Sequence, residues 1–195
     1  MRQEQNNKDI SLLKQSLGIL PEPVVSPAFI VVIGLPGTGK SFFCSKLIEK
    51  LPFCVIESDA MRKYLFSKPD YSVQESVRLF KACHGLIEDL LYNGIPVIFD
   101  ATNLAESNRE RLYYIGDKTE AKLVLVQLDA PSELVYKRLK DRKEGADPDN
   151  KSDADWEVYL NMKQQAGRIK RNHLVVDTSR DIEPAINKLI RIINN

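Results

Sequence analysis

Directly after an apolar stretch, AFIVVI (Ala28–Ile33), the chain runs into GLPGTGKS (Gly34–Ser41) and then into FFCSKLIEKL. Few folds accommodate that order. The run fits G-x-x-x-x-G-K-[ST] in full, and the context is a buried strand, a glycine-rich turn and a helix start. Gly34, Gly37 and Gly39 permit backbone conformations that turn several N–H groups inward and let phosphate oxygens approach closely. The helix that begins here aims its positive end at the same anion. Gly34, Pro36, Gly37, Thr38, Gly39, Lys40 and Ser41 therefore form a candidate phosphate cradle. Lys40 reaches the outer phosphates as a point charge, and the Ser41 hydroxyl is a candidate ligand for Mg²⁺.

The rest of the chain repeats the alternation. Apolar runs at Ala28–Ile33, Phe53–Ile56, Pro96–Phe99, Leu123–Leu128 and Leu174–Val176 are rich in Val and Ile on consecutive positions, as strands buried on both faces are. Helical patterns lie between them. Ser72-x-x-Glu75 reads as a capping box, followed by an apolar face at Val73, Val77, Phe80, Ile87 and Leu91 and a stop at Asn93-Gly94. Pro131 marks another helix start, and Asp181 opens a last helix with Ile182, Ile186, Leu189 and Ile190 on one face. The alternation argues an α/β domain with a parallel sheet. Residues 1–27 read as an appendage: Asp9 caps a short helix, ISLLKQSL, ended by Gly18, and Pro21–Pro27 is an extended linker. Residues 28–195 form the main domain.

Composition narrows the partners. The 195 residues carry a formal net charge of +1, with no acidic or basic block to announce a nucleic acid or a membrane. The three cysteines stand far apart, which disfavours a disulfide framework or a zinc site. No apolar run approaches the roughly 18 residues of a spanning helix, and the N-terminus is polar. A reducing, cytoplasmic setting follows as the expectation.

A triphosphate cradle leaves three classes: a kinase, a regulatory GTPase or a motor-type ATPase. NKSD (residues 150–153) matches a guanine-reading motif, but it follows the turn-rich RKEGADPD rather than a buried strand. Asp100 is followed by ATN, without the glycine of DxxG. The remaining motifs fit phosphoryl transfer better. Every apolar run ends in polar chemistry, where open parallel sheets bind ligands. After the second, Ser58 caps a helix that carries Asp59 and Arg62 on one face. A carboxylate there accepts the proton of an attacking hydroxyl, and a guanidinium one turn on holds an anionic group of the acceptor or the transferred phosphoryl. After the third, Asp100 is placed to hold Mg²⁺ through water or to orient Ser41, and Thr102 and Asn103 cap the next helix or touch the acceptor. Arg109 and Arg111 follow on that helix. Arg138 and Arg142 share a face ahead of a polar, hinged stretch, as in a lid over the phosphates that spans roughly 138–160.

The set GLPGTGKS, D-x-x-R (Asp59, Arg62), VIFDATN and R-x-x-x-R before SDAD resembles the small P-loop kinases. It is similar to the kinase domain of phage polynucleotide kinase and to related bacterial kinases, and more distantly to zeta toxins and chloramphenicol phosphotransferase. The resemblance runs from about Ala28 to the C-terminus. It implies an adenylate-kinase-like, three-layer core with a five-stranded parallel sheet ordered 2-3-1-4-5 and a helical lid. It implies ATP and Mg²⁺, Asp59 as general base, Arg62 on acceptor or phosphoryl oxygens, and Arg138 as the lid arginine on the phosphates. The expected activity is transfer of the γ-phosphate to a hydroxyl acceptor. A small molecule suits the near-neutral charge; a polynucleotide 5′-hydroxyl is the runner-up. A nucleotide switch without an acceptor is the alternative from another class.

Overall fold

β1 (Ala28–Ile33) is buried along its whole length and sits at the centre of the sheet in a computed structural model. The structure describes residues 2–144 and 154–194. β1 pairs in parallel with β3 (Val97–Asp100) on one side and with β4 (Lys122–Asp129) on the other. β2 (Cys54–Glu57) and β5 (Leu174–Asp177) form the two edges, which gives the expected order β2-β3-β1-β4-β5. Alternate side chains of β1 build two separate layers, because successive residues of a strand point to opposite faces. Phe29, Val31 and Ile33 pack with Leu79, Leu86 and Leu90 of α4 (Val73–Tyr92) and with Leu112 and Ile115 of α5 (Glu106–Lys118). Ile30 and Val32 pack with Phe43 and Leu47 of α2 (Lys40–Ile48) and with Ile186 and Leu189 of α8 (Glu183–Asn194). A third, small cluster joins Val135 and Leu139 of α6 (Ser132–Lys143) to Tyr159 of α7 (Trp156–Gln165).

The register gathers polar side chains at one rim. Val32 and Glu57 both stand opposite Asp100, and Asp129 stands opposite Asp177. The short helix α3 (Ser58–Leu65) leaves that rim directly after β2, so Asp59 lies on its first turn.

Three local expectations need correction. The first helix, α1, runs Arg2–Gln15, and Asp9 lies inside it rather than capping it. Its buried carboxylate accepts two hydrogen bonds from the Arg78 guanidinium of α4, both 2.8 Å, and a third from Gln5. A tertiary partner has taken the group that the sequence offers as a cap. On α4, Ile87 and Leu91 are buried as expected and Phe80 is half-buried against the core, but Val73 and Val77 are exposed, and Leu79, Ala82, Cys83, Leu86 and Leu90 complete the buried face. The capping box there is half formed. Ser72 Oγ accepts from Glu75 N–H at 3.2 Å, but the Glu75 carboxylate accepts from the Asp70 and Tyr71 N–H groups and pairs with Arg62. The NKSD motif and the middle of the expected lid, residues 145–153, lie outside the described residues. The flanks of that stretch pack together, with Trp156 edge-on to Tyr136 at 5.1 Å and stacked on Tyr159 at 4.7 Å.

Candidate active site

The loop after β1 is held open by its glycines. Gly37 and Gly39 have φ of 78° and 86°, in the left-handed region where a side chain is strained. Gly39 is also the N-cap of α2, and no side chain caps that helix. Its first-turn N–H groups are thus left for an anion, and the cradle fits phosphate chemistry. Thr38 turns inward, its hydroxyl donating to Leu35 O at 2.8 Å, and Lys40 Nζ donates to the same carbonyl at 3.1 Å. The loop is braced from outside. Thr178, just past β5, donates from Oγ1 to Thr38 O at 2.8 Å. Arg138 of α6 donates to Gly37 O at 3.2 Å, to Thr178 Oγ1 at 3.0 Å and to Thr178 O at 2.9 Å.

This loop forms one side of a cleft of about 1070 Å³. Pro36, Gly37, Gly39, Lys40 and Ser41 line it, facing Glu57, Asp59, Asp100 and Thr102 from the strand ends and Arg138, Asp141 and Arg142 from α6. Ser41 Oγ donates to Asp100 Oδ2 at 2.9 Å. A hydroxyl and a carboxylate side by side are hard oxygen donors, and they suit Mg²⁺. Burial pushes the Asp100 carboxyl up from its ordinary value, with the Glu57 and Asp59 charges adding to it and Lys40 and Ser41 opposing. Burial pulls Lys40 down, and Asp100 and Asp59 oppose that. Asp59 therefore lies close enough to the cradle for its charge to act on Lys40. Burial also raises Cys44 far above the usual thiol range, so that thiol stays protonated and is no nucleophile.

Lys40, Ser41, Asp59, Asp100, Thr102, Arg138 and Arg142 come together in the cleft. Arg62 does not. It is buried, paired with Glu75 and donating to Ser76 Oγ at 3.3 Å, with the Tyr71 ring over it at 4.7 Å. Glu75, thirteen residues away, claims the guanidinium expected at the acceptor. Asn103 is buried too; its backbone is left-handed at φ 48°, and Nδ2 donates to Val32 O at 2.9 Å. Thr102 O accepts from Gly34 N–H at 3.2 Å, so the loop after β3 supports the loop after β1. Arg109, fully buried, ties the carbonyls of Asn103, Gly167 and Arg168 together, and Arg111 lies over Tyr114. Sequence reasoning missed Glu57 and Thr178. Both stand at strand ends, at the rim where a parallel sheet binds ligands, and that position was the available signal.

The family model for an AAA domain, AAA_33, matches residues 29–169. The L-seryl-tRNA(Sec) kinase of Methanococcus maripaludis is 32% identical over 114 residues, which is 56% of this chain and 44% of that protein, so less than half of that relative is matched. Among solved structures, the APS kinase of Mycobacterium tuberculosis in complex with AMPPNP and APS aligns with a TM-score of 0.66 at 17% identity, over 89% of this chain and 100% of that one. The Chaetomium thermophilum Kti12 structure in complex with ADP-AlF3 aligns with a TM-score of 0.66 at 17% identity, over 85% and 98%. At such identities the likeness concerns the fold.

Proposed function

Because the chain belongs to the AAA domain family AAA_33, and the matched span holds the phosphate loop, Asp59 and Arg138, we propose that it is a P-loop kinase moving the γ-phosphate of ATP to a hydroxyl acceptor. One observation carries the reading: Asp59 and the phosphate loop line the same cleft. The likeness to a seryl-tRNA kinase and to an APS kinase fold supports it.

ATP lies with its phosphates in Gly34–Ser41. Lys40 exchanges the Leu35 carbonyl for the outer phosphate oxygens, and Arg138 and Arg142 approach them from α6. Ser41 and Asp100 would hold Mg²⁺, which would supply positive charge for the phosphates. The acceptor hydroxyl sits against Asp59, which accepts its proton as the oxygen bonds to the γ-phosphorus. The bond from that phosphorus to the β–γ bridging oxygen breaks, and ADP leaves. Positioning and charge stabilisation carry most of the acceleration. With Arg62 held by Glu75, the acceptor is oriented by the cleft walls rather than by that guanidinium.

A γ-phosphate transfer screen against pooled small alcohols and 5′-hydroxyl oligonucleotides tests this. Labelled product is expected with wild type and none with Lys40→Ala. If no pool is labelled and a protein partner binds only the ATP form, the chain is a nucleotide switch and the kinase reading is wrong.

A further inference from the structure

The phosphate loop is closely packed on its outer side. An added Cβ at Gly37 would meet Val135 Cγ1 at 2.9 Å and Leu139 Cγ at 3.1 Å, so α6 lies directly against the loop. At Gly39 the nearest atoms would be Thr178 Oγ1 at 3.4 Å and Arg138 Nη1 at 3.5 Å. The glycines that free the loop to receive an anion therefore also admit a clasp behind it.

Thr178 is the centre of that clasp. It is buried, at 8% exposure, and stands beyond residue 169, where the family match ends. Its N–H donates to Asp129 O at 2.9 Å, which fixes it to the end of β4. Its hydroxyl works in both directions. Oγ1 accepts from Arg138 Nη1 at 3.0 Å, and this directs the hydroxyl proton to Thr38 O at 2.8 Å, with Asp129 O farther off at 3.3 Å.

These contacts set the direction of two peptides. Both are trans, so each C=O and the N–H that follows it point opposite ways. The peptide joining Gly37 to Thr38 is held at both ends. Arg138 donates to Gly37 O at 3.2 Å, and Thr38 N–H donates to Leu35 O at 3.3 Å. In the next peptide Thr178 holds the Thr38 carbonyl, so the Gly39 N–H points away from Thr178. Gly39 is the N-cap of α2, lines the cleft and has φ of 86°. A glycine resists a peptide flip weakly, so the hold has to come from outside the loop.

We propose that Thr178 is a positioning residue for nucleotide binding: its hydroxyl, oriented by Arg138, keeps the Thr38–Gly39 peptide turned so that the Gly39 N–H donates to a phosphate oxygen. The proposal rests on the phosphate seat in Gly34–Ser41 but on neither the acceptor nor Asp59, so it is measurable without turnover. Thr178→Val keeps the side-chain shape and removes the hydroxyl; Thr178→Ser keeps the hydroxyl. Affinity for the fluorescent analogue mant-ADP with Mg²⁺ is measured for each, together with the Gly39 amide resonance in ¹H–¹⁵N spectra. In wild type that resonance is expected to move downfield when Mg²⁺ and ADP are added. Thr178→Val should bind mant-ADP about fivefold or more weakly, as when a charge-assisted hydrogen bond is lost, and should show less than about half of the wild-type shift. Thr178→Ser should return both to within about twofold of wild type. Wild-type affinity in Thr178→Val, or a Thr178→Ser that binds no better than Thr178→Val, overturns the proposal. So does a Gly39 amide that stays in place when wild type binds, a result that needs no variant to fold. If wild type fails to bind mant-ADP, the phosphate seat falls and this proposal with it. If binding behaves as expected but the transfer screen labels nothing, only the kinase reading falls.

Discussion

At Lys40, burial and charge pull in opposite directions: burial weakens its hold on a proton, and Asp100 and Asp59 oppose that without cancelling it. The carboxylates that work beside the cradle lysine favour its charged form. Arg62 meets the reverse situation. Its charge is spent inside the protein on Glu75, and removing either partner leaves an unpaired buried charge, a change that typically costs about 3–5 kcal/mol. His84 offers a test of the same physics through pH. It lies at 6.2 Å from both Phe80 and Phe99, and burial, with the Arg111 charge adding, pulls it down from 6.5 to about 4. The folded protein therefore binds this proton less well than the unfolded chain. Its contribution to stability is complete above pH 6.5 and is lost as pH falls from 6.5 towards 4. Replacing it by Gln removes that dependence. Between pH 7 and pH 5, urea unfolding should show wild type losing about 1–2 kcal/mol more than His84→Gln. Equal losses would mean that the ring is not held neutral.

Among the elements, α1 is the one whose sequence says least about its place. It has no strong apolar stripe, and its single fully buried anchor, Leu13 at 0% exposure, enters the core between α3 and α4. Leu13→Ala should lower stability by about 2–5 kcal/mol in denaturant unfolding, as for other large-to-small core changes. A change below about 0.5 kcal/mol, the range of surface substitutions, would make α1 a loose attachment. The central strands β1 and β3 were legible because they are buried along their whole length, and continuous Val and Ile runs write that burial into local sequence; the edge strands β2 and β5 carry similar runs but are only partly buried. The phosphate loop was legible because its chemistry fits within eight consecutive residues, Gly34–Ser41. The start of α1, the buried face of α4 and the position of Arg62 were not. Each depends on a partner distant in sequence: Arg78 for Asp9, the α1 packing for α4, and Glu75 for Arg62.

Across the whole molecule, the alternation of one strand sorts the helices into two layers, and the parallel register brings the strand ends to one rim. From β1 the chain turns to β2 on one side, and from β4 to β5 on the other, so the loop after β1 lies at a topological switch point. That placement gathers an anion cradle and several carboxylates around one cleft, and a kinase needs both. Much of the cradle is backbone N–H at the start of α2, so removing the Asp59 charge should leave most of the ATP binding in place and separate it from transfer. The measurement that decides this is single-turnover γ-phosphate transfer by Asp59→Asn, taken beside its ATP dissociation constant. Transfer should fall by about 10²–10⁴-fold while ATP affinity stays within about threefold of wild type. Undiminished transfer, or a loss of transfer that merely tracks lost ATP binding, would contradict the assignment of Asp59 as the base.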